Sequence, residues 1–183
     1  MRTFIAIDLP LEIHNELARC QATHRGLCPD ARWTRPEGIH LTLKFLGEIA
    51  DTQVDKVTQA LATLEPFATF PVEIKGFGFF PDARRPRVFW AGVVAPLDLA
   101  GLAARVEDAL QKLGFPRESR DYAPHLTLAR FREPHPQPAL REAVEKQPAI
   151  TLGRFDVTEF FLYESKLNPQ GAEYRKVARF PTP

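Results

Sequence analysis

His40–Leu43 reads HLTL, and His125–Leu128 reads HLTL again 85 positions later. Each copy sits in an apolar, β-favouring run, Ile39 to Leu46 in the first case and Tyr122 to Phe131 in the second. Side chains alternate across a strand, so His40 and Thr42 share one face while Leu41 and Leu43 take the other. His125 and Thr127 stand in the same relation to Leu126 and Leu128. The leucines suit a core. Packing does not require a histidine and a threonine on the opposite face, and five His and twelve Thr in 183 residues lead to only roughly 0.3 chance His-x-Thr matches. Two identical copies point to chemistry rather than to β-propensity.

The same offset of 85 carries Arg2, Phe4 and Ala6 onto Arg87, Phe89 and Ala91, and Phe70 and Val72 onto Phe155 and Val157. Local patterns repeat with it. Thr3 to Leu9 reads as a strand; Pro10 then opens a helix on Ile13, Leu17 and Cys20. After the first HLTL strand, Asp51 or Thr52 caps a helix carrying Val54, Val57, Leu61 and Leu64, and Phe70 to Phe80 is a glycine-broken strand. Val88 to Val94 restarts the order, followed by a helix on Leu99, Leu102, Val106, Leu110 and Leu113 that Gly114 ends. Beyond the second HLTL strand come a short helix over Pro138 to Lys146, a strand from Phe155 to Tyr163, and a last strand near Tyr174 to Phe180. The expectation is an α+β fold. Residues 1–183 form one domain of two homologous lobes related by a pseudo-twofold, each a mostly antiparallel sheet with outer helices, with a cleft between them.

Composition bounds the partners. The chain is 44% hydrophobic and 26% charged, enough for a real core, and its net charge of +1 argues against coating nucleic acid by bulk electrostatics. Contact with RNA should be local. Cys20 and Cys28 form no C-x-x-C pair, so neither a disulfide framework nor a zinc site is indicated and a reducing cytoplasm fits. The opening MRTFIAIDLP reads as a first strand, not a signal peptide or membrane span. A monomer is expected.

In-line displacement at phosphorus needs a base on one side and an acid on the other, and two histidines on facing walls supply both. An unperturbed imidazole titrates near 6.5, so one can be neutral while the other is protonated. Residues two apart on a strand are roughly 6.5 Å apart, close enough for an imidazole and a hydroxyl to reach different oxygens of one phosphate. Thr42 and Thr127 can donate to its non-bridging oxygens. The scheme needs no metal or other cofactor.

With these motifs the chain resembles the 2H phosphoesterase superfamily, named for paired H-x-T/S-x motifs, and within it the bacterial RNA 2′,3′-cyclic phosphodiesterases, also called 2′-5′ RNA ligases. The resemblance runs from RTFIAIDLP through RWTRPEGIHLTLKFLGEI, RRPRVFWAGV and YAPHLTLARF to TEFFLYES, nearly the whole length. It implies a bilobal fold, hydrolysis of a terminal 2′,3′-cyclic phosphate to a 2′-phosphate, and RNA 3′ ends such as tRNA halves as partners. It implies His40 as proton donor to the 3′ oxygen and His125 as the base that activates water, roles the strand pattern alone does not distinguish. Thr42 and Thr127 hold the phosphate, and the reverse reaction joins ends through a 2′-5′ bond.

Arg130 suits phosphate but by strict alternation lies on the leucine face, so its use requires a strand end or bulge. Arg84, Arg85 and Arg87 form the one dense basic cluster after Phe79 and Phe80, readable as an RNA-steering and base-stacking patch or as a solvated loop. Trp33 and Trp90 read as core, Lys44 as solvent-directed though it shares parity with Thr42, and His14, His24 and His135 as bystanders on the surface. Two alternatives stand beside cyclic-phosphate hydrolysis. One is the same site acting on 2′-5′ oligonucleotides or small cyclic nucleotides; the other is a non-catalytic module that binds RNA ends.

Overall fold

The computed structural model describes residues 1–147, 149–168 and 171–181. In chain order it runs β1 (Arg2–Ile7), α1 (Leu11–Arg25), β2 (Arg32–Trp33), a 3₁₀ turn (Pro36–Gly38), β3 (Leu41–Glu48), α2 (Asp51–Ala62), β4 (Phe70–Phe80) and β5 (Val88–Val94). Then follow α3 (Leu97–Gln111), β6 (His125–Arg130), α4 (Pro138–Glu145), β7 (Thr151–Val157), β8 (Phe160–Asn168) and β9 (Gly171–Phe180). The strands form two antiparallel sheets, ordered β3-β1-β8-β9 and β2-β6-β5-β4-β7. The fold is α+β and two-lobed, as expected.

The periodic apolar positions do what their spacing demands. Ile13, Leu17 and Cys20 of α1, Val54, Val57 and Leu61 of α2, and Leu99, Leu102, Val106 and Leu110 of α3 all enter one continuous core with the inward faces of both sheets. At the start of α2 the Gln53 side chain accepts the Ala50 N–H at 3.1 Å, so the free backbone donor there is met from inside the helix, not by Asp51 or Thr52.

Where the chain crosses between sheets, local periodicity gives no warning. The run Phe155 to Tyr163, expected as one strand, is two: it breaks at Thr158 and Glu159, leaving β7 in the second sheet and sending β8 to the first. The helices exchange as well. α1 follows β1 of the first sheet yet packs on β7 of the second, and α3 follows β5 of the second yet packs on β3 of the first. Gly153, at φ +150°, lets α1 approach: a Cβ there would lie 2.5 Å from Ile13 Cδ1. Each lobe is therefore built from both halves of the chain.

The three sets of residues related by 85 fare differently. Phe70 and Val72 pair directly with Val157 and Phe155, so those strands are neighbours in one sheet rather than counterparts in two. Phe4 and Ala6 lie in a small cluster with Phe161 and Tyr163, whereas Phe89 and Ala91 lie in the main core. Only the two HLTL strands correspond residue by residue, and they do so down to a shared irregularity. Between Ile5 and Ala6 the pairing jumps from Lys44 to Thr42, and between Phe89 and Trp90 it jumps from Ala129 to Thr127. Leu43 and Leu128, the last residues of the two tetrapeptides, are thus each left unopposed in a β-bulge.

Candidate active site

The two motif strands adjoin across the sheets. β3 is the edge of the first sheet, and the Tyr122 hydroxyl, three residues before His125, donates to the Thr42 carbonyl at 3.1 Å. Leu41, Leu43, Leu126 and Leu128 are buried in one core, so alternation turns Thr42, His125 and Thr127 to the side away from it. His40 enters β3 from the 3₁₀ turn and is half-buried there.

Each imidazole is oriented by the carbonyl two residues before it. His125 Nδ1–H donates to Ala123 O at 2.8 Å, and the Gly38 carbonyl accepts from the His40 ring. Nε2 of His125 is thereby left as the nitrogen available to a ligand. The His40 ring is walled by Tyr163, Tyr174 and Phe4, with centroids 4.5, 5.0 and 5.6 Å away. Gly38 is needed here, because a Cβ would meet Tyr174 Cε2 at 2.8 Å. His125 meets Phe80 edge-on at 4.9 Å, and Phe80 in turn packs on Trp90 at 5.2 Å.

Burial dominates both rings and favours their neutral forms. His40 is pushed down to about 4 by desolvation, which the Asp8 charge and the Gly38 carbonyl only partly offset. His125 is lowered by desolvation as well, opposed by the Ala123 carbonyl and reinforced by the positive charge of Arg130. The largest charged influence on His40 is the Asp8 carboxylate, which the positive charges of His14 and Lys176 partly oppose, whereas the charge acting on His125 is the Arg130 guanidinium. Asp8 is itself held by its partners. Burial works against its ionisation, but His14, whose Nε2 stands 4.0 Å away, and Lys176, whose Nζ donates at 2.5 Å, keep its carboxyl well below the usual range. His14 is raised in turn, chiefly by Asp8, and its Nδ1–H donates to Pro36 O at 2.7 Å, tying α1 to the turn that carries His40.

The bulges decide which other predicted residues reach this face. Beyond Leu128 parity reverses, so Ala129 turns into the core and Arg130, exposed and opposite Val88, shares the side of Thr127. The condition set on Arg130 is met. The same reversal beyond Leu43 takes Lys44 off the Thr42 face: neither solvent-directed nor in the groove, it is buried, with Nζ 2.8 Å from both Glu107 carboxylate oxygens and from Pro116 O. Phe79 is corrected too. It stacks on Phe89 at 5.4 Å on the core side, and alternation makes Phe80 the ring beside His125.

Arg84 and Arg85 lie in the β4–β5 loop, where their backbone N–H groups bond Asp82, Arg84 Nε stands 4.0 Å from Asp82, and Arg85 Nε donates to Pro134 O at 3.1 Å. Arg87 bridges through its backbone, N–H to Phe80 O and C=O from the Phe131 N–H. Trp90 is half-buried on the Thr127 face, over Gly78, while Trp33 meets Phe89 edge-on. His24 is buried with Nδ1–H donating to Cys20 O, and His135 is exposed and 2.6 Å from Asp30. Cys20 and Cys28 are free and buried, and burial pushes their thiols up to about 12 and about 11. Among the described residues no three His, Cys, Asp or Glu side chains cluster to hold a metal ion.

Sequence reasoning missed Asp8, His14, Tyr163 and Tyr174. Asp8 and His14 carried a faint signal, a carboxylate at a strand end and a histidine on the following helix; nothing local places Tyr163 or Tyr174 beside His40.

Two antiparallel sheets carrying a matched pair of His-x-Thr strands define a phosphoesterase of the two-histidine class. The family model described as LigT like Phosphoesterase matches residues 7–90 and 94–174, and the chain belongs to that family. An RNA 2′,3′-cyclic phosphodiesterase of Methanothermobacter thermautotrophicus is 32% identical, with 98% of each chain covered. One from Aquifex aeolicus is 33% identical over 98% of this chain and 96% of its own. The crystal structure of E. coli LigT complexed with 3′-AMP superposes with a TM-score of 0.79 at 26% identity, covering 98% of this chain and 96% of that one.

Proposed function

We propose that the protein hydrolyses RNA 2′,3′-cyclic phosphate termini to 2′-phosphates, with His40 and His125 as the catalytic pair. The observation that carries this reading is the two-fold recurrence of one site element: a carbonyl-oriented imidazole and a threonine two residues on, on adjoining strands β3 and β6. The names of the relatives support the substrate class. Water attacks phosphorus as His125 Nε2 takes its proton; the P–O3′ bond breaks, and His40 delivers a proton to the departing O3′. Thr42, Thr127 and Arg130 stabilise the charge gathering on the non-bridging oxygens. The charged neighbours favour this division, since Asp8 supports a protonated His40 and Arg130 a neutral His125. The bound phosphate anion then raises His40 from its low value in the empty site.

In this reading the reaction is metal-independent. The reverse reaction, with a 5′-hydroxyl in place of water, would join ends such as tRNA halves through a 2′-5′ bond. The protein acts as a cytoplasmic monomer, a single domain descended from a duplicated half-unit whose copies exchange elements between the two lobes, in keeping with the family match in two stretches. No helix among the described residues is long and apolar enough to cross a membrane.

An RNA oligonucleotide ending in a 2′,3′-cyclic phosphate, incubated with the protein in EDTA and read by phosphorus NMR, tests the proposal. A 2′-phosphate product is expected. An unchanged cyclic phosphate, or a 3′-phosphate, would sink it.

A further inference from the structure

β2 is two residues long, and its register sets Arg32 directly opposite Arg130 and Trp33 opposite Ala129. Directly paired residues on neighbouring strands project to the same side. Trp33 accordingly goes to the core side with Ala129, against Phe89, and Arg32 goes with Arg130 to the side of His125 and Thr127. Both arginines are exposed, and among the described residues neither guanidinium is paired with a carboxylate. Two like charges placed opposite each other on a ladder repel, and among the described residues no acidic side chain relieves them. Phosphate is the anion that guanidinium forks match best.

The order along this face is His125, Thr127, Arg130 on β6, then Arg32 one strand further out. A phosphate held by the histidines and threonines reaches Arg130 first. Arg32 is left for a second anion on the far side of Arg130. A nucleoside 2′,3′-cyclic phosphate has no second phosphate to offer, whereas an RNA end carries one immediately 5′ of its last nucleoside.

We infer that Arg32, beside Arg130, binds the internucleotide phosphate next to the reacting one and makes the enzyme select RNA ends over cyclic mononucleotides. The inference rests on the site proposed above and adds a specificity residue to it. Arg32 touches no reacting atom. Its contribution is therefore confined to substrates that possess the neighbouring phosphate.

The test compares a dinucleotide ending in a 2′,3′-cyclic phosphate with the corresponding nucleoside 2′,3′-cyclic phosphate. Arg32→Gln should lower kcat/KM on the dinucleotide tenfold or more and leave the mononucleotide within twofold. Arg32→Lys should fall between, because it keeps the charge and loses the fork. The log–log salt dependence of dinucleotide binding should flatten by about 0.7 in Arg32→Gln, the loss of one phosphate contact to a single strand. Equal losses on both substrates, or none on either, overturn the inference. Calorimetric binding of the two 2′-phosphate products separates it from the proposed activity. If the wild type turns over neither substrate the activity is wrong, yet an affinity loss confined to the dinucleotide product would still uphold the Arg32 subsite, and equal affinities would end it.

Discussion

Burial and charge pull on His40 in opposite directions, and burial wins while the site is empty. kcat/KM reports the free enzyme and requires one ring protonated and the other neutral. Both rings are lowered from 6.5, so the protonated ring is lost at lower pH than in free histidine. The pH profile of kcat/KM is therefore expected to be bell-shaped, with its maximum on the acid side of 6.5. Asp8→Asn removes the largest influence that favours protonated His40. Because His40 lies lower than His125 in the empty site, its scarce protonated form limits kcat/KM throughout the neutral range, and Asp8→Asn should lower kcat/KM by a similar factor at pH 6 and at pH 8. A wild-type profile flat from pH 5 to 9, or an undiminished kcat/KM in Asp8→Asn, would contradict this assignment. The histidines and threonines themselves were legible, because an identical polar pair on the non-leucine face has no packing reason to recur. Asp8 was only faintly so: its charge acts on His40 across a fold junction, and of the partners that keep it ionised Lys176 lies 168 positions away along the chain.

At the scale of elements the two bulges do most of the sorting. The Leu128 carbonyl, at the bulge in β6, is satisfied by the Thr34 N–H at 2.9 Å and the Gln21 side-chain amide at 3.0 Å. That arrangement holds Arg130 on the Thr127 face, where strict alternation would bury it. In β3 the matching bulge drives Lys44 inward, onto Glu107 of α3. Lys44→Met leaves Glu107 without its cation in a largely buried place, which should cost about 3–5 kcal/mol and lower the melting temperature by roughly 10 °C. The double variant Lys44→Met with Glu107→Leu should recover most of that loss. If the single variant melts within a degree or two of wild type, the pair is not what fixes α3 on the first sheet. A bulge leaves no mark in a five-residue window, so alternation placed Lys44 and Arg130 on the wrong faces while placing the four leucines correctly. Phe79 and Phe80 show the same limit: both are aromatic, and only the register against Phe89 and Val88 tells which faces the site.

Across the whole molecule the sequence repeat and the spatial repeat are different objects. The chain order strand, helix, strand was readable from periodicity, and so was the existence of two related units. Which sheet each strand joins was not, since α1 and α3 exchange sides and the turn at Thr158 and Glu159 redirects the chain between sheets. That exchange has a functional consequence: the strands carrying His40 and His125 come from different halves, yet adjoin, and the Tyr122 hydroxyl on the Thr42 carbonyl couples them directly.

If the two imidazoles serve one phosphate, they act as a unit. The most direct measurement is kcat on an RNA oligonucleotide with a 2′,3′-cyclic phosphate end, in EDTA, for wild type, His40→Ala, His125→Ala and the double variant. Each single change should cost roughly 10²–10⁴-fold, and the double variant should be little slower than either single one. Losses that multiply in the double variant, or a single variant that keeps the wild-type rate, would contradict a shared two-histidine site.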